Sequence, residues 1–538
     1  MFIFFKIAKI IIVKFLFYTY YYNDCCKYYI YSNVKYKKME NKKKFDTDKP
    51  LCNCGVVGVY NHPKASLMTY YALHALQHRG QEATGICTFY DDEKTGKKHF
   101  AYNRGEGLVL DFFSDPKIFT DVLKGNMALG HNRYSTTGSS KRANIQPFNM
   151  RYNTGILSIS HNGNLTNTME LWKKLQDEGA IFQTTSDTEL FLHLIARSKK
   201  PNIIERIREA LQTALGAYSL AILTEDSLVA AKDPHGFRPL NIGRMKVNGE
   251  WAYIVASETC AFDIIGAEYV RQVNHNEIVV INHHTVETGE FESYNIKEQT
   301  PCSRHCIFEY IYFSRPDSKI FGHNVDKVRR KLGKALAEES PEINSNKENI
   351  TVISVPDSGN TATIGYAKIN NAKFNPSAYE IGLIRSHYVG RTFIAPGQDN
   401  REFKVKVKFN PVKGVIEGKN VVVIDDSIVR GTTSQSLIKI IRQAEPKELH
   451  LKITSPPIKF PCYYGMDFPN KEELIANHYE SEDEIGKALG VDSLHYLTKE
   501  KLLESVPHDE GTGYCTACFD GDYPVPINNN TPKISLED

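Results

Sequence analysis

The string VVVIDDSIVRGTTS, residues 421–434, constrains the fold more than any other part of this 538-residue chain. A continuous apolar run leads straight into two adjacent carboxylates, Asp425 and Asp426, and a Ser/Gly/Thr loop then opens a helix from about Thr432. A strand needs an unbroken apolar run, rather than alternation, when both its faces are covered, as in a parallel sheet flanked by helices. Two more strand-like runs accompany it. ITVISVP (350–356) precedes a Gly/Asn turn and a helix from about Thr361, and LHLKIT (449–454) follows downstream. Val325, Val328, Leu332, Ala335 and Leu336 lie at helical spacing. Repeated strand–helix–strand units predict a doubly wound α/β domain. Ligands of such sheets lie at the carboxyl ends of the strands, and a helix N-terminus binds phosphate through its N–H groups. Paired acids just before it can accept ribose hydroxyls or hold Mg²⁺ beside substrate phosphates. The bland alternative is a strand–turn–helix whose Asp and Thr residues only cap the helix.

The length exceeds what one hydrophobic core serves. CGVVGVY (54–60), TGICTFY (84–90), ILSISH (156–161), AYSLAIL (217–223), SLVAAK (227–232) and EIVVIN (277–282) read as strands. Residues 65–77 and about 186–198 read as helices. Many strands with few helices between them predict packed sheets with helices outside. The expected organisation is a domain over 54–290, a second over 300–500, and a C-terminal segment over 501–538, with everything after residue 456 irregular.

The first 53 residues differ from the rest. They hold 11 lysines and 4 acidic residues, so the net charge of +3 for the chain conceals a body of −4. That body gives no electrostatic reason to bind nucleic acid. Residues 2–22 are rich in Phe, Ile and Tyr, but Lys6, Lys9 and Lys14 interrupt the stretch, and a membrane span needs about 20 predominantly apolar residues. The segment reads as a removable leader, with no membrane partner expected. Translation from Met39 and an N-terminal anchor stay open as alternatives. The 11 cysteines are odd in number and widely spaced, which suits thiols or metal ligands in a reducing compartment, with the cytoplasm as the expectation.

CGVVGVY (54–60), QHRGQEATGI (77–86), HNRYSTTG (131–138), HNGNL (161–165) and SDTEL (186–190) occur in this order. Together they resemble the glutaminase domain of the N-terminal-nucleophile amidotransferases. Attack on a side-chain amide needs a thiolate and a base. The resemblance implies that Cys54 becomes the first residue and uses its own α-amino group, of reference pKa about 7.7–8.0, as that base. It also implies Asn162 and Gly163 as oxyanion donors, Arg133 on the glutamine carboxylate, and Asp187 on its ammonium. Asp187 also suits a helix N-cap. Residues 1–53 must then be lost at the Asn53–Cys54 bond. The Asn is a departure from the acidic residue found in processed relatives, and Cys52 is a competitor that the following GVVGV disfavours. Cleavage from Met39 would release 15 residues.

The string at 421–434 closely resembles the phosphoribosyl-pyrophosphate loop of type I phosphoribosyltransferases. VPDSGNTATIGYA (355–367) resembles the pyrophosphate-side loop, and YVGRTFIAPGQ through VKVKFNPVKG (388–414) a lid. The resemblance implies ribose contacts from Asp425 and Asp426, and 5′-phosphate contacts from Ser427, Arg430, Gly431, Thr432 and Thr433. It implies Arg391 and Lys408 over the pyrophosphate, and Mg²⁺ among Ser358, Asp425 and Asp426. Lys408 alone would read as a solvated surface lysine. CIFEYIYFSRPDS (306–318), PPIKFPCYYG (456–465) and YCTACF (514–519) complete the pattern. Cys515 and Cys518 form a C-x-x-C pair without a nearby His, and in one branch of the family Cys306, Cys462, Cys515 and Cys518 would hold a 4Fe-4S cluster. A structural zinc or unmodified thiols remain the alternative. Cys25, Cys26, Cys87, Cys260 and Cys302 receive no role.

From residue 54 to about 525 the chain is similar to the amidophosphoribosyltransferase family. That similarity implies an αββα N-terminal-nucleophile sandwich followed by a type I phosphoribosyltransferase domain with a parallel sheet. It further implies conversion of glutamine and phosphoribosyl pyrophosphate to phosphoribosylamine in purine synthesis, internal ammonia transfer, purine-nucleotide inhibition, and a homo-oligomer, commonly a tetramer. Two rivals are weighed. Other N-terminal-cysteine amidotransferases lack the 421–434 string. A non-catalytic sensor of phosphoribosyl pyrophosphate would not need Cys54, Arg133, Asn162 and Asp187 together.

Overall fold

The computed structural model describes residues 54–92, 96–134, 142–153, 155–340, 350–373, 378–386 and 408–527. Outside these lie the leader with its cleavage bond, residues 135–138 of the HNRYSTTG motif, Arg391 with most of the lid-like stretch, and the last residues of the C-terminal segment.

The first half is two antiparallel sheets face to face. The first runs in spatial order Glu268–Gln272, Asn241–Val247, Glu250–Ala256, Gly55–Tyr60, Met127–Arg133, Ala83–Asp91, Lys98–Glu106. The second runs Glu292–Asn295, Glu277–Ile281, Leu228–Lys232, Gly216–Leu223, Gly155–Leu165, Phe148–Tyr152. Between them Val56, Leu129, Ala221, Leu228, Val255 and Val279 are buried in one core. The outer face of the first sheet packs on helices Ala65–Ala75 and Cys260–Ile265. That of the second packs on Thr168–Asp177, Thr188–Arg197 and Ile203–Thr213. This is the expected αββα arrangement. It arises because the central strands are apolar on both faces and each face needs a cover. The strand expected to end at residue 161 continues to Leu165, so the whole HNGNL motif is strand.

The second half carries a five-stranded parallel sheet in spatial order Ala378–Tyr379, Ile350–Ser354, Asn420–Asp425, Glu448–Ile453, Ser493–Tyr496. Helices Val325–Glu339, Asn360–Lys373 and Thr432–Arg442 accompany it. One expectation fails here. The stretch after residue 456 is not all irregular: helix Glu482–Leu489, strand Ser493–Tyr496 and helix Lys499–Ser505 lie within it. The strand is only four residues long and alternates in burial, so it lacks the continuous apolar run that marked its neighbours. The helix before it carries its signal at its ends, with a Ser481 side chain capping Glu484 N–H and Gly490 closing the far end in the left-handed conformation. Among the described residues, no helix is long and apolar enough to cross a membrane.

A fully buried charge network joins the two halves. Arg79 pairs with Glu309 at 2.8 Å and Glu258 at 3.3 Å, and Arg238 pairs with Glu309 at 3.3 Å. Glu309 also accepts from Ser314 Oγ at 2.7 Å. Glu258 accepts from Ser318 Oγ at 2.7 Å and the Arg315 N–H at 2.9 Å, and pairs with His78 at 2.7 Å. Burial alone would push the Glu258 carboxyl up. His78 and Arg79 outweigh it and hold the carboxyl down at about 2. Removing one member of such a network leaves a buried charge uncompensated. Glu309→Ala is therefore expected to cost about 3–5 kcal/mol of stability, read by urea unfolding. A loss below about 1 kcal/mol would mean that the network is no stronger than a surface pair.

Candidate active sites

Cys54 stands directly before strand Gly55–Tyr60, the central strand of its sheet, and its Sγ donates to the Tyr134 carbonyl at 3.8 Å. Burial pushes its thiol up. The Arg133 guanidinium pulls against this, while Asp187 and Glu82 add to it. The three expected groups Cys54, Arg133 and Asp187 thus share one electrostatic neighbourhood. A thiol raised in this way does not ionise unaided near neutral pH, so the site requires a base.

Arg133 ends strand Met127–Arg133 and is buried, donating through Nη1 to the Asn144 carbonyl. Asn144 is in turn held by Thr185, through its Nδ2 on Thr185 Oγ1 at 2.8 Å and its Oδ1 on Thr185 N–H at 2.9 Å. Asp187 is buried at the start of helix Thr188–Arg197. Its side chain does not cap that helix. Instead it accepts from Leu165 N–H at 3.0 Å and Thr188 Oγ1 at 3.4 Å, and lies 3.5 Å from His161 Nδ1. Burial would raise its pKa, but His161 and these donors outweigh burial and lower it, so Asp187 is an anion. The helix-cap alternative is thereby set aside.

Asn162 and Gly163 occupy the strand to which Asp187 is tied. Asn162 is buried, and neither its Nδ2 nor its Oδ1 finds a hydrogen-bond partner among the described residues. Leaving a buried amide unsatisfied costs roughly 1–3 kcal/mol, a cost native folds accept at sites of function. Gly163 has φ +151, and a Cβ there would meet the Ala217 carbonyl at 2.0 Å, so only glycine fits. His131 and His161 lie in the motifs HNRYSTTG and HNGNL, which by themselves assign them no role. The structure uses both. His131 Nε2 lies 3.1 Å from the His161 carbonyl, and Gln146 Oε1 accepts from the His161 N–H at 2.8 Å. His161 Nδ1 lies 3.1 Å from Thr188 Oγ1. Burial lowers the His131 pKa to about 3, so that ring is neutral.

The second site lies at the carboxyl end of the parallel sheet. Asp425 is the last residue of strand Asn420–Asp425, and Asp425, Asp426 and Ser427 are buried. Asp425 Oδ1 accepts from the Asp426 N–H at 2.9 Å, and Ser427 Oγ donates to Asp426 Oδ1 at 2.6 Å. Gly431 takes the N-cap position of helix Thr432–Arg442, which has no capping side chain. Arg430 donates to Glu473 at 2.9 Å at the rim. Ser358 lies in the loop after strand Ile350–Ser354, the neighbour of the Asp425 strand. Lys408 is exposed, with its ammonium 5.4 Å from the Phe409 ring centre.

The four expected cysteines line one cavity together with Phe237, Arg238, Phe308 and Phe468. Cys306 and Cys515 face each other across a two-residue parallel bridge. The Tyr464 N–H donates to Cys462 Sγ at 3.4 Å. Burial pushes Cys306 up to about 11 and raises Cys515 and Cys518 well above the ordinary thiol value, and the neighbouring thiols add to the shift. Among the described residues, no three His, Cys, Asp or Glu side chains converge tightly enough to hold a metal ion.

Comparison with known proteins places the chain among its relatives. A glutamine amidotransferase domain model matches residues 131–263. The chloroplastic amidophosphoribosyltransferase of Vigna aconitifolia is 49% identical over 491 residues, covering 91% of this chain and 95% of that one. The amidophosphoribosyltransferase of Bacillus subtilis (strain 168) is 45% identical over 482 residues, covering 89% and 95%. The solved glutamine phosphoribosylpyrophosphate amidotransferase from B. subtilis, complexed with ADP and GMP, superposes with a TM-score of 0.79 at 43% identity, covering 90% of this chain and 100% of that one. At 45–49% identity over about nine-tenths of this chain and 95% of each relative, the chain belongs to the amidophosphoribosyltransferase family.

Proposed function

We propose that the protein releases ammonia from glutamine at Cys54 and delivers it internally to phosphoribosyl pyrophosphate at Asp425–Thr433, forming 5-phosphoribosylamine, glutamate and pyrophosphate at the entry to purine synthesis. The observation that carries this is the pairing, within one compact unit, of a half-buried Cys54 beside Arg133 and Asp187 with a carboxylate pair that leads into a helix N-terminus. After loss of residues 1–53 the α-amino group of Cys54 takes the thiol proton, and the sulfur attacks the glutamine amide. Asn162 Nδ2 and the Gly163 N–H stabilise the oxyanion. Arg133 binds the glutamine carboxylate and the Asp187 anion its ammonium. At the second site Asp425 and Asp426 hold the ribose hydroxyls. Ser427, Arg430, Gly431, Thr432 and Thr433 hold the 5′-phosphate at the helix N-terminus. Arg391 and Lys408 close over the pyrophosphate. Bound purine nucleotides inhibit, a reading supported by the ADP and GMP complex of the Bacillus relative.

Two groups complete the site. Asp425 and Asp426, carboxylates buried side by side with Ser358 nearby in the fold, suit Mg²⁺, which would neutralise charge on the departing pyrophosphate. Cys306, Cys462, Cys515 and Cys518 suit a 4Fe-4S cluster. All four line one cavity, and no histidine joins them there. A cluster spreads its four thiolates over four irons. The oligomer is read as a tetramer from the family resemblance. The cytoplasm is the expected location. Plant relatives named chloroplastic make a plastid the second reading, to be decided by imaging a fluorescent fusion of residues 1–53.

Cys54→Ala is expected to abolish glutamine-dependent synthesis and to keep synthesis from free ammonia, whereas Asp425→Asn loses both. Full glutamine use by Cys54→Ala would refute the nucleophile. Intact mass of the purified enzyme is expected to give a chain starting at Cys54, and an active chain that retains residue 53 would exclude the α-amino base. Anaerobically purified protein is expected to contain about four irons per chain, lost together in Cys518→Ser. Stoichiometric zinc without iron would overturn the cluster.

A further inference from the structure

The strand that carries Asn162 and Gly163 is completed by a loop from the other half of the chain. Asn164 Nδ2 donates to the Tyr463 carbonyl at 2.9 Å, a contact spanning 299 residues. That loop is itself rigidly held. Arg238 donates to the Tyr464 carbonyl through Nη2 at 2.7 Å and Nε at 3.2 Å. The Tyr464 ring stacks on Phe237 at 4.4 Å, and its hydroxyl donates to the Val525 carbonyl at 2.7 Å. One residue further, Gly465 has φ +103, and a Cβ there would stand 3.2 Å from the Gly163 carbonyl carbon and 3.3 Å from its Cα. Two glycines are thus laid backbone to backbone. Gly163 lies between the Ala217 carbonyl on one side and Gly465 on the other.

An oxyanion hole works by the fixed direction of its donors. The Asn162 amide has no protein partner to fix its direction among the described residues, so its aim depends on the backbone that carries it. We propose that Asn164 is a positioning residue for the oxyanion hole. By gripping the Tyr463 carbonyl it seats residues 162–164 on the 463–465 loop, so glutamine hydrolysis is competent only while that loop is in place. Asn164 touches no reacting atom in this scheme. The proposal rests on the glutaminase function proposed above.

The test uses the full mature enzyme. Asn164→Ala removes the donor, and Asn164→Asp replaces it by an acceptor of the same size facing the carbonyl. Both are expected to lower kcat for glutamine about 10- to 100-fold, the scale of a misplacement of about 1 Å. KM for glutamine should stay within about twofold, because Arg133 and Asp187 are untouched, and ammonia-dependent synthesis should be preserved. Gly465→Ala, which presses a methyl on Gly163, should show the same split. Wild-type kcat in both Asn164 variants would overturn the proposal while leaving the function intact. Equal losses with glutamine and ammonia would also overturn it, since they indicate a general structural defect. Absence of glutamine-dependent activity in the wild type would instead sink the function itself.

Discussion

Glu309 accepts two arginines from the sandwich half, Arg79 and Arg238, in a place with no exposed surface. Such a carboxylate would be prohibitively costly to bury alone. Its partners make the junction between halves specific: Arg79 also binds Glu258, and Arg238 also binds the Tyr464 carbonyl. An apolar junction of the same size could slide. A set of charge pairs with fixed directions cannot shift without stranding one of them, so the two active sites are held in a defined relation, as a reaction that passes ammonia between them requires.

That junction was invisible to sequence inspection for a simple reason. Arg79 and Glu309 are 230 residues apart, and each alone reads as an ordinary surface charge. The residues proposed to carry the chemistry were legible because they sit in local runs. Asp425, Asp426 and Gly431 follow one apolar strand, and Asn162 and Gly163 share HNGNL. Gly163 carries its explanation in its backbone angle, and Asp187 in the residues around it. His161 lay in plain sight within the same motif, yet its link to Asp187 comes from folding a helix N-terminus onto a strand end. The parallel sheet was legible where its strands, five or six residues long, are rich in Val, Ile and Leu, and illegible at Ser493–Tyr496, where a short edge strand needs only one buried face.

The cysteine cavity joins these themes. Cys306 begins the second half, Cys462 precedes the loop beneath Asn164, and Cys515 and Cys518 come near the end of the described chain. Arg238, which neutralises Glu309, also lies in the field of Cys306 and Cys462. Charge in this cavity is therefore felt at the junction between the halves and next to the strand that serves the glutamine site.

The bond from the Tyr464 hydroxyl to Val525 has a consequence for how the enzyme is made. Synthesis runs from the amino end, so both sheets of the sandwich emerge from the ribosome well before residue 525. The ring that braces the 463–465 loop acquires its last partner only once residue 525 has been made. A chain cut short during translation can hold a complete set of nucleophile-side residues and still lack the brace beneath them. In the positioning scheme proposed for Asn164, the competence of the glutamine half would thus depend on a residue 361 positions further along the chain.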